Sequence, residues 1–106
     1  MTAAIEELPG RTTVSERAVR RIAARAAREV AGIEREVEAN AEIRGDRTSL
    51  DIRVRIGYPH PVASVTDACR AHLVRRTTEL TGLVVATVDI SVAELTAEKV
   101  VGGRIR

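Results

Sequence analysis

Aromatic residues are almost missing from this sequence: it holds no Phe, no Trp and a single tyrosine, Tyr58, in 106 residues. Binding of nucleic acid by stacking bases on exposed rings is therefore nearly excluded. One cysteine, Cys69, cannot close an internal disulfide, which argues against a stapled secreted scaffold and fits a reducing cytoplasm. Long apolar runs are absent as well; none approaches the roughly 18 to 20 residues that cross a bilayer as a helix. The opening MTAAIEELPG has no basic region and no apolar region, so it does not read as a signal peptide. Lysine is nearly absent: sixteen of the seventeen basic residues are arginine, and the net charge is only +2.

What is present is aliphatic. A hydrophobic fraction of 44% with one aromatic side chain means that Val, Ile, Leu and Ala must fill the core of a single domain. The stretch from Gly10 to Ile33 organises it. Ser15 is the expected N-cap of a helix running to about Ala31, with Gly32 as its stop. Val19, Ile22, Ala23, Ala26 and Val30 recur at three- and four-residue spacing and fall on one face. Arg17, Arg21, Arg25 and Arg28 take the opposite face, with Arg20 at its edge.

Either side of that helix the pattern is extended or broken. Residues 1–9 read as a flexible leader closed by Pro9-Gly10, and Arg11 to Val14 as a short edge strand. Past Gly32 the period becomes two: Ile33, Arg35 and Val37 alternate with Glu34, Glu36 and Glu38, which predicts a strand. Asn40 to Arg47 is polar and turns at Gly45-Asp46 as a loose hairpin. Ser49 to Gly57 is the clearest strand, with Leu50, Ile52, Val54 and Ile56 on one side and Asp51, Arg53 and Arg55 on the other.

Tyr58-Pro59-His60-Pro61 cannot continue a central strand, because proline donates no ladder hydrogen bond. It leads into a second helix, Val62 to Thr81, whose apolar stripe is Val62, Val65, Cys69, Leu73 and Leu80, with Gly82 as its stop. Leu83 to Val92 closes the pattern as a strand, with Val84, Ala86, Val88, Ile90 and Val92 on one face. Thr87, Asp89 and Ser91 take the other. The predicted fold is α+β, a two-layer sandwich of order α-β-β-α-β with both helices on one face of a small three- to four-stranded sheet. The domain spans residues 10–95, and 96–106 form a flexible or partner-docked tail. A charge at Ile22 or Leu73 is expected to unfold it.

These residues resemble the alkaline shock protein family of bacterial envelope-stress proteins. The likeness rests on the Gly10-x-Thr12-x-Val14-Ser15 entry, the helix ending Glu29-Val30-Ala31-Gly32-Ile33, and the strand Leu50 to Ile56 meeting Gly57-Tyr58. Leu80-Thr81-Gly82 and Val88-Asp89-Ile90-Ser91-Val92 complete it. The two-proline connector and the acidic first strand depart from the family pattern. The resemblance implies a non-enzymatic protein without cofactor that acts in cell-envelope homeostasis. It implies a cytoplasmic homo-oligomer or paralogue assembly, held peripherally at the inner face of the membrane by a small membrane-anchored protein.

No catalytic or metal constellation accompanies this. Cys69 and His72 are three apart with His60 nearby, but a metal needs more ligands, and Cys69 lies in the apolar stripe as a structural thiol. Val74, Leu83 and Val85 lie off the core faces and could mark a subunit contact. The interaction surface expected from sequence is Arg17, Arg20, Arg21, Arg25 and Arg28 on the helix with Arg53 and Arg55 on the sheet. It has three readings: a solvated face, a docking surface with Glu34, Glu36, Glu38 and Glu42 as complement, or a phosphate-binding surface. The alternative function is accordingly a small nucleic-acid-binding module using the helix arginines, which the near-neutral charge and the near-absence of aromatics disfavour.

Overall fold

The computed structural model describes residues 6–8 and 11–93, with side chains from residue 14 onward. The expected tail, 96–106, lies outside the described residues, as does the leader apart from Glu6–Leu8. That segment is a strand, β1, paired antiparallel with β2, Arg11–Thr13. The domain then runs α1 (Glu16–Arg28), β3 (Glu38–Arg44), β4 (Arg47–Val54), α2 (Val62–Thr81) and β5 (Val84–Val92). After β1 and β2 the order is α-β-β-α-β, a two-layer α+β fold with three strands in its main sheet.

β4 is the centre of the sheet, antiparallel to β3 and parallel to β5. A parallel pair cannot be joined by a tight turn, and α2 supplies the crossover. Its one-sided alternation makes β4 the core strand: Leu50, Ile52, Val54 and the following Ile56 are all buried, while Asp51, Arg53 and Arg55 are exposed. Val19, Ala23, Ala26 and Ala27 of α1 and Val65, Cys69 and Leu73 of α2 close on that face with Val88 of β5. Alanines on α1 let its backbone approach closely, so small side chains still give a dense core.

The helices cap as their sequences dictate at two of four ends. Ser15 Oγ accepts from the Ala18 N–H at 3.0 Å, satisfying one donor of the first turn of α1. Gly82 ends α2 in the left-handed conformation. Pro61 stands before α2 and gives no side-chain cap. α1, however, ends three residues before the expected Ala31, with Glu29 as its cap. Gly32 is not the stop but part of the following turn, at φ +95°, where an added Cβ would stand 3.0 Å from Val65 Cγ2.

The stretch expected as the first strand, Ile33 to Glu38, is not one. Ile33 makes a single bridge to Ile56, and regular pairing begins only at Glu38 opposite Arg53. Between those points the Glu34 N–H still donates to Arg55 C=O at 2.8 Å, and residues 35–37 then face only 54, so the chain bulges outward. The real strand β3 occupies Glu38–Arg44, most of which was expected as loose hairpin; the turn at Gly45-Asp46 stands as expected, between Arg44 and Arg47.

Three face assignments also change. On α2, Val62 and Leu80 are exposed, and Thr77 and Thr81 continue the buried stripe. Thr81 manages this because its hydroxyl donates to Thr77 C=O and accepts from the Leu83 N–H. On β5 the register slips so that Thr48 pairs with Val85 and Ser49 with Thr87, leaving Ala86 as the extra residue. Leu83 and Val85 therefore pack on the core, while Val84 and Ala86 face outward, the reverse of the uninterrupted alternation. Ile22 is only half-buried and stands outside the core cluster, unlike Leu73, which is fully buried.

Candidate functional site: an arginine row and cleft

The expected surface residues separate into two groups that share Arg28. Arg17, Arg21, Arg25 and Arg28 are exposed along α1, with Arg20 half-buried beside them. Arg25 and Arg28 sit in the last turn, where a cation is favoured by the helix dipole. Among the described residues Arg17, Arg20, Arg21 and Arg25 form no ion pair within 4.0 Å.

Arg28, Arg53 and Arg55 meet at the other group, a cleft of about 660 Å³ open to solvent. Its walls follow from the irregular pairing described above. Because residues 35–37 bulge out of the pairing, Arg35 and Glu36 stand across from Arg53 and Arg55 instead of lying in a flat ladder. Arg28 Nε donates to Arg35 C=O at 2.9 Å, which ties the end of α1 to the bulge. Val37 and Ala93, both half-buried, contribute apolar surface, and the buried Val54 lies behind them. The Ala93 N–H donates to Val54 C=O at 2.8 Å, so β5 ends at the cleft as well.

The cleft is electrostatically unbalanced. Four guanidiniums face two carboxylates. Arg55 Nε lies 3.8 Å from Glu36 Oε1 and Arg53 Nη1 4.0 Å from Glu38 Oε1, between side chains at least 45% exposed. Pairs of that kind contribute only about 0–1 kcal/mol, so they are easily opened. Glu36 and Glu38, expected as a complement for another molecule, are thus partly used within the chain. Sequence reasoning missed Arg35 as a site residue: its alternation with glutamates looked like strand, and only the pairing of Ile33 with Ile56 shows the bulge.

Comparison with solved structures places this architecture. It is the fold of the MamM CTD. A triply substituted MamM CTD is 23% identical over 73% of this chain and 92% of its own, with a TM-score of 0.56. MamM-CTD 215-293 is 16% identical, covering 76% of this chain and all of its own, at 0.57. A nickel form of a substituted MamM CTD is 15% identical over 74% and 98%, at 0.56. At these identities the likeness is one of fold. No protein-family model and no curated protein sequence matches the chain.

The remaining chemistry-bearing side chains lie away from the cleft. Cys69 is fully buried, and burial pushes its thiol up, with Arg70 pulling weakly the other way. His72 does not converge on it. His72 Nε2 lies 2.7 Å from Glu29 Oε1, and Arg75 Nη2 lies 2.9 Å from His72 Nδ1. The ring sits in the seam between the helices, while Cys69 faces the core. Among the described residues no three His, Cys, Asp or Glu side chains gather as metal ligands, and no helix is long and apolar enough to cross a membrane.

Proposed function

We propose that the chain is a non-enzymatic envelope-stress scaffolding module that self-associates and is recruited to the cytoplasmic face of the membrane by a partner. The resemblance of residues 10–95 to the alkaline shock protein family motivates this reading. The observation that carries it is the arginine row of α1, which forms no ion pair within 4.0 Å among the described residues and which runs into the cleft through Arg28.

The sheet's outer face offers a complement. Asp51 and Asp89 are paired neighbours on β4 and β5, both exposed and both without an ion pair among the described residues, with Glu42 exposed on β3. Row and carboxylates lie on opposite layers of the domain. A contact between them is heterologous, so it leaves both surfaces free to propagate on the end subunits. Tyr58, 87% exposed, is of the residue type that anchors interfaces, and the exposed Val62, Val74, Leu80 and Val84 add apolar surface.

Light scattering coupled to size-exclusion chromatography, on nuclease-treated protein across concentration and ionic strength, tests this. Concentration-dependent species larger than one chain that dissociate with salt support it, because exposed charge pairs are screened. The nucleic-acid alternative predicts instead a monomer that binds generic DNA or RNA with a steep salt dependence.

A further inference from the structure

We propose that the cleft beside β4 is a binding site for a phosphorylated small molecule, a dianionic phosphate monoester carrying an apolar or aromatic body. Four guanidiniums and two carboxylates leave the cleft with two uncompensated positive charges, matching one dianion. Guanidinium suits this ligand because its planar fork meets two oxygens of a phosphate at once. Arg28 is held in place through its Nε, leaving its terminal nitrogens for the ligand. Arg53 and Arg55 are restrained only by the loose contacts to Glu38 and Glu36, which a phosphate displaces at little cost.

Size and lining decide against a bare phosphate as the whole ligand. About 660 Å³ lies within the roughly 300–1,000 Å³ of small-molecule pockets. The half-buried Val37 and Ala93 give an organic body apolar surface beside the charges. β4 and β5 both end at this cleft.

The test is a titration of the full chain at low ionic strength with phenyl phosphate, inorganic phosphate and benzoate, followed by amide NMR shifts. Phenyl phosphate is expected to bind most tightly and to shift the amides of Val37, Val54 and Ala93. The Arg53→Ala/Arg55→Ala variant should lose at least about tenfold in affinity, since each lost charge-assisted hydrogen bond accounts for roughly that factor. Both side chains are exposed, so its thermal unfolding should match the parent. The Arg17→Ala/Arg21→Ala control should bind within about twofold of the parent, because the row lies outside the cleft and acts only through screened charge. Equal affinity for inorganic phosphate, or binding that follows the row variant instead of the cleft variant, overturns the proposal. So does binding to phosphatidate vesicles with none to phenyl phosphate, which makes the arginines a membrane-facing surface. Assembly is read separately by light scattering, so either result stands without the other.

Discussion

His72 Nε2 and Glu29 Oε1, 2.7 Å apart, join the middle of α2 to the C-terminal cap of α1. A carboxylate at that end of a helix faces the negative pole of the dipole and needs a partner. The hydrogen bond from His72 lowers the Glu29 carboxyl below its ordinary value; desolvation opposes this, and the charges of Arg76, His72 and Arg25 assist. A carboxylate lowered in the folded state contributes stability that is full above its unfolded value, near 4.5, and lost as pH falls through the folded value. Glu29→Gln should therefore flatten the acid side of a plot of Tm against pH while leaving the arginine surface intact. An unchanged acid limb contradicts this role for the pair.

Leu73 and Ile22 separate the core from its margin. Leu73 is fully buried in the cluster formed by both helices and β4, so Leu73→Ala should cost about 2–5 kcal/mol in urea unfolding. Ile22 is half-buried and outside that cluster, and Ile22→Ala should cost less than half as much. Equal losses at the two sites would place Ile22 in the core after all.

Gly32 and Gly45 both hold positive φ, at +95° and +62°, but only the first is enclosed. Its added Cβ meets Val65 Cγ2 at 3.0 Å and the His60 ring at 3.2 Å, whereas nothing lies within 4 Å at Gly45. Gly32→Ala should destabilise by several kcal/mol, since overpacking adds about 1–3 kcal/mol to the backbone strain. Gly45→Ala should cost only about 1 kcal/mol for the left-handed backbone. Thermal denaturation of the two variants checks the order.

Cys69 should be silent to thiol reagents in the folded state. It is fully buried and its thiol is pushed up by that burial, so little thiolate forms near neutral pH. Reaction with a disulfide reagent should proceed at the rate of global or local opening and become fast in urea. Rapid labelling of native protein would contradict the packing of α2 against α1 and β5.

Both free sheet edges carry a charged plug. Glu16 accepts from the Ile43 N–H of β3 at 3.0 Å, and Arg70 donates to Val88 C=O of β5. Unpaired edges template aggregation, and such plugs oppose it. Glu16→Ala/Arg70→Ala should aggregate faster on heating than the parent, as followed by light scattering during a thermal ramp.

Where one period dominates, the sequence carries the fold plainly. β4 and α2 are legible because the alternation of Leu50 to Ile56, the proline connector before Val62 and the stop at Gly82 agree with tertiary packing. β3 is not, because Ala39 and Ala41 are too small to announce a buried face, while the stronger alternation upstream belongs to the bulge. Ala86 inverts half of β5 through a one-residue slip that no propensity records. Thr77 and Thr81 read as polar until Thr81 is seen bonding to the helix and to Leu83. The arginine row was legible as a helix face. The cleft was not, because it needs α1, the bulge and the end of β4 to meet, and only the register of Ile33 against Ile56 brings them together.

Assembly through the arginine row is the central claim, and charge reversal tests it most directly. Size-exclusion light scattering of the parent and of Arg17→Glu/Arg21→Glu/Arg25→Glu, at matched concentrations and low salt, compares the two. These side chains are exposed and unpaired among the described residues, so the variant should remain folded by circular dichroism. The account predicts a parent larger than one chain and a variant that runs as a monomer. A parent that is monomeric at every concentration, or an assembly that survives the reversal unchanged, contradicts it.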